Sequence, residues 1–283
     1  MMDLPVAPGV TLCAITSVAR EATLAAMRHS LGQIRFEKAL LLSDAPPEAM
    51  AGDEIEWRRI TPLKSREDYS RFVLYDLADH IDTEHVLVVQ WDGFVRDGRR
   101  WQDAFLSYDY IGAVWPQFQD CMAVGNGGFS LRSRRLLEVT RSMPVGPEPE
   151  DVAICRKHRH VLETVYGQRF AGLEIARQFS YERERSSGDE FGFHGAYNLF
   201  AELPGEMMTR LIGSLERGVL GPRESVEVLF ASISRGDHVL ARIALAHVRA
   251  HPGLVRRLVL GARRALVGKR VTSAVRPVRG QPE

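Results

Sequence analysis

The sequence predicts an α/β protein built on a mostly parallel sheet, and three observations carry the prediction. Val10–Val18, Lys38–Ser43 and His85–Gln90 are near-continuous aliphatic runs, the pattern of strands covered on both faces. Stretches of helical spacing separate them, giving a β-α-β-β-α-β order in which helices cross over between parallel strands. With 283 residues, 45% hydrophobic and 26% charged, the chain can bury one large domain of this class, alone or with a smaller appendage.

Val10–Val18 reads as the first strand, and a helix follows from Arg20 to Leu31. Lys38–Ser43 is the second strand, closing on Asp44 and the turn-forming Pro46-Pro47 pair. Glu54–Ile60 alternates weakly and reads as a third. Ser65 can cap the amide of Asp68 and so start a helix. That helix carries Tyr69, Phe72, Val73, Leu77 and His80 toward the strand at His85–Gln90. Downstream, Tyr110–Val114 and Val124–Arg132 read as strands, a helix runs through Leu136 and Leu137, and another spans about Glu150 to Tyr166. From Pro204 the texture becomes helical, broken at Gly218, Gly221-Pro222, Gly236 and Pro252-Gly253. The expected organisation is therefore one α/β domain over residues 1–203 and a helical region over 204–283 that ends in a basic amphipathic tail.

A net charge of +1 gives no drive toward nucleic acid. The charge is unevenly placed, with nine Lys or Arg and no Asp or Glu from Arg249 to Arg279. Cys13, Cys121 and Cys155 are an odd set without C-x-x-C spacing, which speaks against a disulfide framework or a cysteine-rich zinc site and suits a reducing compartment. The Met1–Pro5 start lacks a basic and then apolar leader, and no apolar run is long enough to span a bilayer. The expected location is cytoplasmic, peripheral to the inner face of a membrane if the tail engages it.

Four elements can carry chemistry. Asp92, in Gln90-Trp91-Asp92, stands just past the carboxyl end of the His85–Gln90 strand, where open α/β sheets place ligands. A carboxylate there can hold Mg²⁺ or Mn²⁺ against a diphosphate, or can simply close an Asp-Gly turn. Gly125-Asn126-Gly127-Gly128 offers positive φ angles and close backbone approach, with Asn126 able to donate and accept. The same Asn-Gly also reads as a hairpin. Glu150-Asp151 opens a helix, where a carboxylate stays ionised and can act as a general base, or merely favours a first helical turn. His194, between Phe193 and Gly195, is a candidate metal ligand or a hydrogen-bonded structural histidine.

Their order matters more than any one of them. The ordered text QWDGF, DYIGAVW, VGNGGFSLRS, PEDVAIC and FGFHG resembles the GT-A-fold glycosyltransferases, and within them an uncharacterised bacterial domain-of-unknown-function family, over roughly residues 10–200. The resemblance implies a GT-A-like sheet flanked by helices and a sugar transferred from a nucleotide-sugar donor, foremost a UDP-sugar, to a hydroxyl on a glycan or glycolipid acceptor. It places Gln90-Trp91-Asp92 at the metal-binding D-x-D motif, with only its last carboxylate retained, which leaves Gln90 to contact the ribose or an ordered water instead. His194 falls on the late metal-completing histidine. Gly127, Gly128 and Asn126 fall on the segment lining the donor-sugar pocket, and Asp151, with Glu150 beside it, on the base of inverting members. Thr16, Arg20, Ser43 and Asp44 match positions that grip the nucleoside and its phosphates. Ser70 and Arg71 could face the nucleotide, or be ordinary helix surface, and Trp91 and Trp115 could stack on sugars, or be core. The implied cofactor is a divalent metal, Mn²⁺ or Mg²⁺, and the implied process is surface polysaccharide or glycolipid assembly.

The basic tail lies outside this resemblance. Leu254–Leu260 and Arg263–Val267 mix apolar and basic residues at helical spacing, which suits an anionic bilayer surface or a solvated tail. Two non-enzymatic readings stand beside the transferase: a binding module that lost its metal site at Gln90, and a membrane adaptor working through the tail.

Overall fold

The three aliphatic runs form the centre of a six-stranded sheet in the computed structural model, which describes residues 4–50, 52, 54–144 and 146–254. In chain order the first half gives β1 (Val6–Thr16), α1 (Arg20–Leu31), β2 (Arg35–Ser43), β3 (Glu56–Arg59), α2 (Arg66–Arg71) and β4 (His85–Val89). α2 continues as a π turn over Phe72–Asp76 and a 3₁₀ turn over Leu77–His80. Then come β5 (Tyr110–Ile111), β6 (Ser130–Ser133), α3 (Arg134–Thr140), α4 (Glu150–Val152), α5 (Arg159–Thr164), α6 (Leu173–Phe179), β7 (Ser180–Tyr181) and β8 (Gly192–Phe193).

The sheet order is β3-β2-β1-β4-β6-β5. β1 through β4 are mutually parallel, β6 is antiparallel to β4 and β5, and β7 and β8 form a separate parallel pair. Register aligns the strand ends that matter for a site. Thr16 lies opposite Ser43 across β1 and β2, and Ala14 lies opposite Val89 across β1 and β4. The carboxyl ends of three parallel strands therefore open on one edge of the sheet.

Burial on both faces explains the aliphatic runs. Leu12, Ala14, Leu41, Leu87 and Val89 pack on one face with Leu24 and Met27 of α1. Their neighbours Cys13, Ile15, Leu40, Leu42, Val86 and Val88 point to the other, against Phe72, Val73 and Leu77. Burial pushes the Cys13 thiol up to about 12, and all three cysteines are free thiols. Ser65 caps α2 as expected, its hydroxyl accepting from the Asp68 amide at 3.1 Å.

Three expectations need correction. β1 and β2 begin earlier than their aliphatic cores, because Val6-Ala7 pairs with Arg35-Phe36 across an irregularity in the register. Of the expected Val124–Arg132 strand only Ser130 onward is β6, since Val124 makes an isolated bridge to Val114 and the segment between is loop. The expected helix over Glu150–Tyr166 is broken by a π turn at Ala153–Lys157 that separates α4 from α5.

α7 (Leu199–Glu202) and α8 (Gly205–Gly213) complete a compact unit covering residues 1–215. A second unit, residues 216–283, contains α9 (Pro222–Ser234) and α10 (His238–Arg249). They are joined by a turn at Gly236, φ 71°, and Asp237 caps α10 by accepting from the Leu240 amide at 2.9 Å. Among the described residues no helix is long and apolar enough to cross a membrane. The basic tail expected beyond Leu254 lies outside the described residues.

Candidate functional site

β4 ends in a tight turn: the Gln90 amide donates to the Gly93 carbonyl at 2.9 Å and the Gly93 amide to the Gln90 carbonyl at 3.1 Å. Trp91 and Asp92 therefore occupy the corner, at the carboxyl edge of the sheet. Asp92 is buried at 8% exposure, and its carbonyl accepts from the Gly195 amide at 2.8 Å. This bond ties the turn to the end of β8 and brings His194 alongside it.

His194 is the hub. Its Nε2 lies 3.5 Å from Asp92 Oδ1 and 3.3 Å from Gln90 Oε1, while its Nδ1 lies 3.4 Å from Glu182 Oε1. The Asn198 amide nitrogen donates to the carbonyls of both Glu182 and His194, at 2.8 and 2.7 Å, and locks the two segments together. Burial opposes a charge on this imidazole, yet the carboxylates of Asp92, Glu182 and Asp151 outweigh it and push its pKa up to about 9. Gly93 and Gly128 flank the ring. A Cβ on Gly128 would sit 2.0 Å from Nε2, and one on Gly93 2.6 Å from Cδ2.

The Gly125–Gly128 loop forms the opposite wall. The positive φ expected of its glycines falls on Asn126 instead, at 77°, and the glycines serve close approach. Asn126 is buried, and its Oδ1 accepts from the amides of Gly128 at 2.8 Å and Phe129 at 3.4 Å. Its Nδ2 is buried with no protein partner among the described residues. Gly127 donates its amide to Asp151 Oδ2 at 3.0 Å, and Val152 donates to Oδ1 at 2.8 Å. Burial, then the charge of Glu150, raises the Asp151 carboxyl to about 6.

Glu150 is placed differently from its neighbour. It is buried at 4% exposure and its Oε1 lies 3.0 Å from Nη2 of Arg132, which is itself fully buried. A Cβ on Gly127 would lie 2.0 Å from that Oε1, so this glycine makes room for the ion pair. Ser70 is also inside the protein rather than facing a ligand, its hydroxyl accepting from the Glu150 amide at 3.2 Å. Arg71 lies over the Tyr75 ring, and Trp115 is core, packed against Gly125 and Phe118. Trp91 is half-buried at the turn.

The candidate nucleoside positions lie at the ends of β1 and β2. Thr16 exchanges hydrogen bonds with the Val18 backbone, Ser43 accepts from Trp57 Nε1 at 2.9 Å, and Arg20 pairs with Asp44 at 3.3 Å. The structure thus gathers Gln90, Asp92, Asn126, Gly127, Gly128, Asp151 and His194 into one centre, and sets Thr16, Arg20, Ser43 and Asp44 along the same sheet edge.

Sequence reasoning missed Glu182, Arg132 and Tyr69. Tyr69 accepts from Gln90 Nε2 at 3.2 Å and so turns Oε1 of that amide toward His194. Arg132 gave no signal beyond a charged residue inside a strand expected to be buried, and Glu182 sits in a charged loop that reads as solvated.

Among the described residues no group of three or more His, Cys, Asp or Glu side chains is arranged to hold a metal ion. Three donors there lie close to one another: Gln90, Asp92 and His194. Gln90 Oε1 and Asp92 Oδ1 lie 3.3 and 3.5 Å from His194 Nε2, near the roughly 3 Å between adjacent ligands of an ion bound at about 2.1 Å.

A family model described as "Protein of unknown function (DUF5672)" matches residues 54–194, just under half of the chain. No curated protein matches it in sequence. Among solved structures, the chain is distantly similar to the mannosyltransferase PcManGT from Pyrobaculum calidifontis in complex with GDP-Man and Mn²⁺. Identity is 13% and the TM-score 0.42, over 96% of this chain and 81% of that one. It is likewise similar to a glycosyltransferase involved in glycosylation of the major capsid of PBCV-1, at 11% identity and TM-score 0.42, over 65% of this chain and 91% of that one.

Proposed function

We propose that this chain is a glycosyltransferase that uses a nucleotide-sugar donor, foremost a UDP-sugar, and transfers to a hydroxyl of a glycan or glycolipid in surface polysaccharide or glycolipid synthesis. One observation carries the reading. A part-buried Asp-His-Gln constellation and a separate carboxylate, Asp151, converge on a glycine loop at the carboxyl end of parallel strands.

In this reading Asp151 is the general base. A carboxylate titrating near 6 is ionised at neutral pH and still holds useful proton affinity. Gly127 and Val152 fix its orientation through their amides. The acceptor oxygen bonds to the anomeric carbon as the bond to the diphosphate oxygen breaks. Asp151 takes the acceptor proton, and one displacement inverts the anomeric centre. Glu150 supports this carboxylate indirectly, since its ion pair with Arg132 holds the start of α4 in place. Thr16, Arg20, Ser43 and Asp44 lie where the nucleoside end of the donor would run. Asn126 Nδ2 is the donor group left to meet a sugar hydroxyl, with Trp91 the candidate to stack on the sugar ring.

Asp92, His194 and Gln90 would hold the divalent ion, Mn²⁺ or Mg²⁺, with phosphate oxygens and water completing its shell. A bound ion would neutralise charge on the diphosphate. Glu182, bonded to Nδ1, orients His194 so that Nε2 faces that position.

A thermal-shift panel of UDP-, GDP-, CMP- and dTDP-sugars with and without Mn²⁺ tests the reading. One donor class should raise the melting temperature in a Mn²⁺-dependent way that Asp92→Ala abolishes. Asp151→Asn should keep that shift and lose transfer. Gln90, standing where a second acid is expected, favours the alternative of a non-catalytic nucleotide- or glycan-binding module. Donor binding without transfer in the wild-type protein would establish that alternative, and no shift with any donor would sink both.

A further inference from the structure

The second unit exposes large apolar side chains that the site chemistry does not use. On α9, Arg223, Val226, Glu227, Phe230 and Ile233 recur at i, i+3, i+4, i+7 and i+10 and so share one face. On α10, Val239, Arg242 and Arg249 recur at i, i+3 and i+10. The other faces, Ser225, Val228 and Ser232 on α9 and Leu240, Ala244, His247 and Val248 on α10, are buried. Phe230, Ile233 and Val239 are 59%, 56% and 62% exposed.

The two faces have the same polarity along their length. Their apolar residues cluster beside the connecting turn, and their arginines stand away from it. Arg223 precedes Phe230 by two helical turns, about 10 Å of rise, and Arg249 lies about 15 Å beyond Val239. Among the described residues Arg242 and Arg249 make no ion pair, whereas Glu227 is engaged by Arg223 at 2.7 Å. The sequence continues this charge, with nine Lys or Arg and no acid from Arg249 to Arg279.

We propose that the α9–α10 pair docks on an anionic lipid bilayer. Phe230, Ile233 and Val239 enter the interfacial layer, and Arg242 and Arg249 lie at headgroup level. An interfacial element buries its apolar side chains roughly 5–10 Å into the headgroup boundary, within reach of side chains of this size. Arginine stems can lie along acyl chains while their guanidiniums reach phosphate. Charge complementarity selects an anionic surface over a second copy of the chain, because two copies would oppose like-charged faces. The inference is independent of which donor the first unit binds.

Co-sedimentation of the full chain with vesicles of phosphatidylcholine, alone or mixed with phosphatidylglycerol, tests it. The chain should sediment with the mixed vesicles only, and added salt should weaken binding. Replacing Phe230, Ile233 and Val239 together by Ser should weaken it by about tenfold or more with an unchanged melting curve. Separately, the Phe230→Trp variant should be quenched by lipids brominated in the upper acyl chain. Several results would overturn the proposal: no sedimentation with anionic vesicles, equal binding by the triple variant, or no quenching at position 230. So would a wild-type mass by light scattering that is dimeric without lipid and monomeric in the triple variant, since a second copy would then occupy the face.

Discussion

Folding places a cost on the carboxylate assigned as the base, and Asp151→Asn should expose it. Burial first, and the charge of Glu150 second, raise the Asp151 carboxyl from 3.8 to about 6. That shift of about two units corresponds to roughly 3 kcal/mol at about 1.4 kcal/mol per unit. The folded state binds this proton more tightly than the unfolded state. Stability from this group is therefore fully present below pH 3.8 and falls as pH rises through about 6. Asparagine resembles the protonated acid in shape and charge, and it does not titrate. The variant's amide nitrogen cannot accept from Gly127 or Val152, which costs it stability at every pH, but relative to the wild type it should gain about 3 kcal/mol between pH 4 and pH 7. Urea unfolding across this pH range reads the difference directly. At neutral pH the same variant should be inactive in transfer. A stability difference between variant and wild type that does not change with pH would refute the reasoning. The carboxylate would then be well solvated or well paired rather than held at a cost.

Transfer by the wild-type chain should rise with pH through about 6, as Asp151 loses its proton, and a rate profile flat across that range would remove Asp151 from the role. Glu150→Gln leaves the fully buried Arg132 facing a neutral amide and should cost roughly 3–5 kcal/mol in urea unfolding; a near-neutral result would mean that Arg132 finds another partner. Gly128→Ala puts a methyl 2.0 Å from His194 Nε2 and should displace the ring, abolishing any Mn²⁺-dependent donor shift while donor binding without metal persists. Glu182→Gln keeps the shape but removes the charge behind Nδ1, and Mn²⁺ affinity measured by calorimetry should fall by about tenfold or more.

The sheet was legible because its cause is local. Val86 to Val89 and Leu40 to Leu42 are aliphatic at every position since successive side chains enter cores on opposite faces, and that pattern needs no knowledge of the partners. The Ser65 cap was legible for the same reason, as donor and acceptor lie three residues apart. Strand starts such as Arg35-Phe36 were not, because half-exposed edges carry polar residues and read as loop.

For the centre, the sequence named most of the participants and tertiary structure assigned their relations. His194 meets Gln90 across 104 positions and only because β8 returns beside the β4 turn. Glu150 and Asp151 are adjacent acids in sequence, yet one is consumed by Arg132 and the other is left at the glycine loop. No spacing rule separates them, since the distinction depends on which side of a short helix turns toward a buried arginine. The glycines illustrate the same limit. Their number near Asn126 marked the loop, but their purpose, leaving room for the Glu150 carboxylate and the His194 ring, exists only once distant segments are packed together. Composition and periodicity follow from which surfaces avoid water; the geometry of charged groups follows from long-range packing.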